Sequence, residues 1–364
     1  MANALKYMDI VDWTLEQISS GVYKPNDRFL TESELCQKFA CSRQTVRRAL
    51  ELLEQQGYIS RYKGSGTYIS SGKIKTRPNN IEEKHMTIGL INTYIDNFLF
   101  PSIIRGIEDV LYDAGFALEL VYTNNLVAGE TKALQFMLKR QLDGLIVEPT
   151  RSALPCANLD LYNEITRKNI PLVFIDSFYP ELSNPYVALD DEKAGYEATS
   201  HLISMGHRNI SAVFPHSHRQ GHLRYLGYVK AHADNGISIK DDLICWHSRE
   251  NMHQILHSSH FLEQLSRSTA VLCYNDSTAI MVIDFLHQNG KSVPEDLSVV
   301  GIDNSELARI AGLTSVAHPA ELLGRAAAEL VLSMINGSEG KNILFPPQLV
   351  IRNSVKQLQN LKET

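Results

Sequence analysis

No stretch of this chain is apolar for long enough to span a bilayer, and the opening Met1-Ala2-Asn3-Ala4-Leu5-Lys6 is too polar for a secretory leader. Cysteine is sparse: Cys36, Cys41, Cys156, Cys245 and Cys273 are scattered without a C-x-x-C pair, as expected of thiols kept reduced in a cytoplasmic protein. A P-loop, a nucleophile elbow and a zinc-hydrolase signature are also missing. Acidic runs such as Asp190-Asp191-Glu192 therefore lack the company an enzyme would need. There is no short-period repeat and no long low-complexity tract. What is there, 364 residues of which 44% are hydrophobic, can bury substantial cores and divides into two or three domains.

The most informative stretch runs from Thr31 to Ile69. Thr31-Glu32-Ser33-Glu34 reads as a capping box, a hydroxyl at the N-cap and a Glu three residues on. The helix it opens carries Leu35 and Phe39 and stops near Ala40-Cys41. Ser42 then caps a second helix with Val46, Ala49, Leu50 and Leu53 as its buried stripe, so Arg43, Gln44, Arg47 and Arg48 face outward. Gly57 ends that helix, and Tyr58 to Ile69 reads as two short strands around a basic glycine turn. Upstream, Tyr7–Ser20 predicts a first helix with Ile10, Val11, Leu15 and Ile18 inward. Residues 1–78 hold 12 Lys/Arg against 8 Asp/Glu, a net of +4, which leaves −10 for the remainder of a chain of net −6. A basic head on an acidic body is the asymmetry expected when only the head meets phosphate.

After a polar, turn-rich segment at 70–80 the pattern becomes alternating strand and helix. Buried-type strands are predicted at Thr87–Asn92, Ala117–Tyr122, Gly144–Val147, Pro171–Ile175, Ile210–Phe214, Ala270–Cys273 and Ser298–Ile302, with helical periodicity between them. That alternation argues for parallel sheets covered on both faces, in two α/β lobes. Polar residues follow the strands, where open sheets bind ligands: Thr93-Tyr94, Glu148, Asp176-Ser177, Tyr274-Asn275-Asp276 and Asp303-Asn304. Carboxylates, an amide and aromatic rings at one edge suit a neutral polyol, whose hydroxyls need both donors and acceptors. For any single Asp or Asn the alternative role is N-cap of the next helix.

The head, with Leu30-Thr31-Glu32-Ser33-Glu34-Leu35, Ser42-Arg43-Gln44-Thr45-Val46-Arg47-Arg48-Ala49-Leu50 and Gly64-Ser65-Gly66-Thr67-Tyr68-Ile69, resembles the GntR class of bacterial regulators. The body resembles the effector domain of the LacI/GalR class through Asp190-Asp191-Glu192-Lys193-Ala194-Gly195, Arg224-x-x-Gly227-Tyr228, Cys273-Tyr274-Asn275-Asp276 and the run Pro294 to Asp303. The combination is similar to the arabinose repressors (AraR type), as are Phe100–Glu108 and Asp143–Thr150. The resemblance implies a winged helix-turn-helix over 1–70, a linker over 71–86, and a two-lobed, periplasmic-binding-protein-like effector and dimerisation domain over 87–364. Lobe one would hold about 87–206 and 316–338, lobe two about 207–315 and 339–364, with chain crossings near 205–207, 314–319 and 336–341.

By resemblance Ser42, Arg43, Gln44, Thr45 and Arg47 meet DNA, and Lys63 and Gly64 form the wing tip. Some relatives carry Arg where this chain has Ser33, which removes one expected contact. Asp190, Arg224, Asn275 and Asp303 match effector-binding positions, and Tyr94 and Glu148 join them by strand-end placement. The implied function is a sugar-responsive transcriptional repressor. A homodimer would hold operator DNA and release it on binding a small sugar, L-arabinose by resemblance. Alternatives are a regulator for another sugar, an activator, a transporter's solute-binding protein and a carbohydrate enzyme. No cofactor, membrane or metal is expected. Ten of 13 histidines lie between His201 and His260, and His253, His257 and His260 could share a helix face, but the H-E-x-x-H pattern is missing.

Overall fold

Local signals account for most of the head. The computed structural model describes residues 5–19, 21–55, 58–62, 66–70, 86–95 and 99–358. The chain divides into two units, Met1–Glu83 and Lys84–Thr364. The first contains helices α1 (Leu5–Ser19), α2 (Glu32–Phe39) and α3 (Arg43–Gln55) and a hairpin of β1 (Ile59–Tyr62) and β2 (Gly66–Ile69). The capping box is present in full: the Glu34 amide donates to Thr31 Oγ1 and the Thr31 amide to Glu34 Oε2. Ser42 Oγ accepts from the Thr45 amide at 3.3 Å and caps α3. Ile10, Val11, Leu35, Val46, Ala49, Leu50 and Leu53 meet Ile59 and Ile69 of the hairpin in one core. The expected helix stop at Gly57, the wing tip at Lys63 and Gly64, and residues 71–85 of the expected linker lie outside the described residues.

The second unit is built on two six-stranded sheets. In chain order it opens with β3 (Thr87–Asn92), α4 (Phe100–Asp113), β4 (Ala117–Tyr122), α5 (Val127–Leu138), β5 (Gly144–Val147), α6 (Leu159–Arg167), β6 (Leu172–Ile175) and β7 (Tyr186–Leu189). Next come α7 (Asp191–Ser204), β8 (Ile210–Pro215), α8 (Arg219–Asp234), β9 (Ile244–His247), α9 (Arg249–Leu256), α10 (Ser259–Ser266) and β10 (Ala270–Cys273). The remainder is α11 (Asp276–Gln288), β11 (Ser298–Asp303), α12 (Glu306–Ile310), β12 (Thr314–Ala317), α13 (Ala320–Ile335), β13 (Ile343–Phe345) and β14 (Gln348–Val350). Lobe one orders its strands β13-β7-β6-β5-β3-β4, all parallel. Lobe two orders them β14-β12-β11-β10-β8-β9, parallel except for antiparallel β14. Strands β5, β6, β8, β10 and β11 are buried throughout, as their unbroken apolar runs require.

Three features differ from the sequence reading. Ala117–Tyr122 is an edge strand, not a buried one, and leaves Leu120 and Tyr122 exposed. Strands β7, β9, β12, β13 and β14, three or four residues each, were not predicted. The lobe crossings fall at 189–191, 317–320 and 345–348. Helix α7 belongs to lobe two, because Ala194, Ala198, Leu202 and Ile203 pack with Ile210, Ala212 and Phe214. The chain then stays in lobe one until β13 has paired with β7, and crosses at Pro346-Pro347.

Close packing of α7 on α8 sets the position of the cavity's main cation. A Cβ on Gly195 would lie 2.1 Å from the Arg224 carbonyl oxygen, and one on Gly227 2.0 Å from that of Glu192. Only glycine at both positions lets the two backbones touch. That approach brings Asp191, in the first turn of α7, within reach of Arg224 on α8.

Candidate functional site

The strand ends of both lobes converge on a cavity of about 280 Å³. This is just under the roughly 300–1,000 Å³ typical of ligand pockets and so suits a small ligand. Lobe one supplies Thr93 and Tyr94 after β3, Glu148 after β5 and Asp176 after β6; lobe two supplies Arg224, Tyr274, Asn275 and Asp303.

Glu148 is buried, and its Oε2 accepts from the Thr93 amide at 2.6 Å and the Thr93 hydroxyl at 2.5 Å. Burial, and then the neighbouring Asp176, push its pKa well above the carboxylate range. Asp176 adopts a left-handed φ of 64° at the end of β6. There its Oδ1 meets His318 Nε2 and its Oδ2 meets Gln220 Nε2, both at 2.9 Å. Burial opposes its charge, but His318, Arg224 and Gln220 outweigh burial and hold its pKa below the ordinary value. His318, in turn, is disfavoured as a cation by burial, yet raised by its bond to Asp176.

Arg224 is 3% exposed and donates from Nε to Asp191 Oδ1 at 2.8 Å and from Nη1 to the Tyr274 carbonyl at 2.5 Å. Its guanidinium lies 4.6 Å from the Tyr274 ring centroid. Burial works against the charge, but Asp191 holds the pKa above its ordinary value. Asp303 is buried at a φ of 117°, and burial pushes its carboxyl up to about 8, with Arg224 pulling the other way. At neutral pH Asp303 is mainly a neutral acid that can donate as well as accept. Asn275 uses Oδ1 to cap α11 through the Thr278 amide at 2.9 Å, which leaves its Nδ2 as the donor for the cavity. The lining therefore carries a fixed cation, carboxyls in both protonation states, an amide and aromatic faces. A second arginine, Arg249, lines the cavity with its guanidinium 3.9 Å from the Tyr94 ring centroid. That set matches a polyhydroxylated ligand, whose hydroxyls both donate and accept.

Of the residues expected here, Tyr94, Glu148, Arg224, Asn275 and Asp303 line the cavity. Asp190 does not. It caps α7 through the Lys193 amide at 3.1 Å and sits in a separate surface groove with Glu192 and Lys230. The residue that works at the site from that acidic run is its neighbour, Asp191. Asp276, part of the same strand-end signal, is spent on the Ser305 amide and the Ser315 hydroxyl at 2.6 Å each. The selection of site residues missed Asp176 and Tyr274, although both stood in the strand-end row. It also left out Gln220 and His218, at the start of α8, and His247, the last residue of β9. His218 is neutral, burial depressing its pKa to about 4. His253, His257 and His260 do not share a helix, since α9 ends at Leu256 and α10 begins at Ser259.

In the head, Ser42, Arg43, Gln44, Arg47 and Arg48 are exposed on the start of α3. Thr45 is buried, its hydroxyl 2.9 Å from that of Ser42, so it belongs to the cap. Arg47 Nε bonds both oxygens of Glu32 at 3.2 and 3.1 Å, which also holds Arg61 at 3.3 Å. The recognition-type helix and the first wing strand are thereby tied to α2. Arg28, not singled out from the sequence, bridges Tyr68 as a short third strand and lays its guanidinium against Gly66.

Residues 6–69 match the model of bacterial regulatory proteins of the gntR family, and residues 199–355 match a periplasmic binding protein-like domain. The chain is 37% identical to an arabinose metabolism transcriptional repressor of Geobacillus stearothermophilus, over 97% of this chain and 98% of that one. It is 34% identical to a protein of the same description from Halalkalibacterium halodurans, over 98% of each. Among solved structures, a LacI family transcriptional regulator from Enterococcus faecium with bound ribose superposes with a TM-score of 0.65 at 29% identity, over 75% of this chain and all of the other.

Proposed function

The chain belongs to the family of the arabinose metabolism transcriptional repressors, and from that premise we propose that it represses transcription by holding operator DNA and lets go when L-arabinose fills the cavity. It is a regulator, not an enzyme: a DNA-binding head of the gntR type on a sugar-binding effector domain. No helix among the described residues is long and apolar enough to cross a membrane. The observation that carries the ligand assignment is the cavity lining, in which Arg224 and Asp303 from lobe two face Glu148 and Asp176 from lobe one. A ligand bonded to both sides favours the closed cleft. The ribose in the Enterococcus faecium regulator supports a ligand of pentose size.

In this reading Arg224, Asn275, Asp303 and Glu148 bind sugar hydroxyls, and Tyr94 supplies an aromatic face. Ser42, Arg43, Gln44 and Arg47 read or position DNA, helped by Lys63 and Gly64 at the wing. Thr45 and Asp190 act as caps. Two chains joined through their bodies present two heads to two half-sites. Closure changes the head geometry and lowers operator affinity by about 1–3 kcal/mol, roughly 5- to 150-fold, with the same factor acting back on sugar affinity.

Calorimetric titration with L-arabinose, D-galactose, D-ribose and D-xylose, followed by operator release in fluorescence anisotropy, tests this. Saturable binding of arabinose together with sugar-driven release is the expected result. Binding of another sugar alone keeps the mechanism and changes the effector. Arabinose binding without any change in operator affinity rejects the coupling.

A further inference from the structure

Helix α8 starts at Arg219 without a cap of its own, because His218 occupies the N-cap position and makes no capping bond. The first amides of a helix have no partner inside it. Here the partner comes from the opposite lobe, for the Arg219 amide donates to Ser152 Oγ at 3.0 Å. Beside it, the Ala153 amide donates to the Ser217 carbonyl at 3.2 Å. Asn125 Nδ2 stands 3.3 Å from Nε2 of the neutral His218, and Gln220 Nε2 donates to Asp176 Oδ2 at 2.9 Å. Four hydrogen bonds thus join residues 217–220 of lobe two to four positions on lobe one. The lobe-one side is itself braced. Asn125 Oδ1 accepts from the Arg151 amide at 2.7 Å, and the hydroxyls of Thr123 and Thr150 pair at 2.8 Å.

Gln220 differs from the other three contacts. It is 4% exposed, it lines the cavity, and its Oε1 is buried with no hydrogen-bond partner. A buried amide oxygen left unpaired is costly, and a ligand O–H would satisfy it. We propose that residues 217–220 form a latch that holds the effector cleft shut, and that Gln220 makes the latch ligand-sensitive. Its Oε1 accepts a sugar hydroxyl while its Nε2 holds Asp176 of the other lobe.

The proposal rests on the cavity being the effector site, but the lobe-to-lobe bonds stand apart from the identity of the sugar. Apparent ligand affinity scales with the fraction of molecules already in the binding-competent, closed form. Removing a latch bond that never touches the ligand therefore weakens binding.

The test uses the full-length protein and three variants. Asn125→Ala and Ser152→Ala alter residues that do not line the cavity, and Gln220→Leu removes both ends of the amide. In calorimetry with L-arabinose the first two are expected to weaken binding about two- to tenfold, since each removes one neutral hydrogen bond between the lobes. Asn125→Ala also removes the brace to the Arg151 amide. Ser152→Thr, which keeps the hydroxyl, restores affinity, and Gln220→Leu loses more than either alanine variant. Hydrogen exchange on the ligand-free protein gives a second readout, with the Arg219 and Ala153 amides exchanging faster in Asn125→Ala than in the wild type. Unchanged affinity and unchanged exchange in both alanine variants would overturn the latch. A Gln220→Leu loss no larger than that of Asn125→Ala would overturn the ligand-reading role of Oε1. Should the wild type take up no arabinose, the effector assignment fails, and the exchange comparison alone decides the latch.

Discussion

Replacing Arg224 by methionine should separate two jobs that one side chain performs. The guanidinium is 3% exposed and pairs with an equally buried Asp191 at 2.8 Å. Arg224→Met leaves that carboxylate in the interior with no counter-charge, and breaking a buried pair in this way costs about 3–5 kcal/mol. Against a total stability of roughly 5–15 kcal/mol the protein remains folded at low temperature, with Tm lowered on the order of 10 °C. A lost charged hydrogen bond to the ligand costs a further 1.5–3 kcal/mol, about 10- to 150-fold in sugar affinity. Arg224→Met combined with Asp191→Leu removes both charges, and replacing a whole buried pair with apolar side chains is roughly neutral. Thermal scans and calorimetry on the wild type, both single variants and the double variant complete the cycle. The double variant should recover Tm and not sugar affinity. Recovery of both would show that Arg224 serves only to balance Asp191, and would remove it from the binding site.

Other outcomes follow from named contacts. Arg43→Ala, exposed at the start of α3, should weaken operator binding by about 1–3 kcal/mol in anisotropy titrations if it reads a base, and leave the calorimetric sugar affinity unchanged. Asp303 holds its proton up to about pH 8 in the folded state but only to about 4 when unfolded. The native state therefore binds the extra proton across that window, and stability must fall as pH rises through it. Asp303→Asn should flatten that part of the Tm-against-pH curve, and an unaltered slope would assign it elsewhere. Gly227→Ala forces a Cβ to within 2.0 Å of the Glu192 carbonyl, so α7 and α8 must separate. Chemical unfolding should show a loss of about 1–3 kcal/mol, and sugar affinity should fall too as Asp191 draws away from Arg224.

Short-range chemistry made the head legible from sequence. Thr31 with Glu34, and Ser42 with Thr45, satisfy their own helix amides within three residues, so spacing alone identifies both caps. Most interior strands of the body were equally readable, since burial on both faces demands an unbroken apolar run, although β7 and β12, four residues each and inside their sheets, were missed. At the margins that constraint lapses. Edge strand β4 keeps an apolar composition with Leu120 and Tyr122 in solvent, and β13 and β14 are too short to show a period. The lobe crossings were displaced for a related reason. Nothing in the sequence of α7 states which sheet its small-residue face will cover, and only contact with Ile210, Ala212 and Phe214 assigns it to lobe two.

The strand-end rule brought the right neighbourhoods to the cavity, because in parallel sheets the carboxyl ends of the strands must share one edge. The sequence by itself thus determined the caps, the buried strands and the row of polar residues that follows them, all properties of residues a few positions apart. Tertiary structure alone decided which of two adjacent carboxylates, Asp190 or Asp191, turns to solvent and which to Arg224. It alone decided that Gln220 and His318, nearly a hundred residues apart, would converge on Asp176. Those pairings depend on how closely two helix backbones approach and where three chain crossings meet, and distances of that kind are set by packing between distant segments, not by any local spacing of residues.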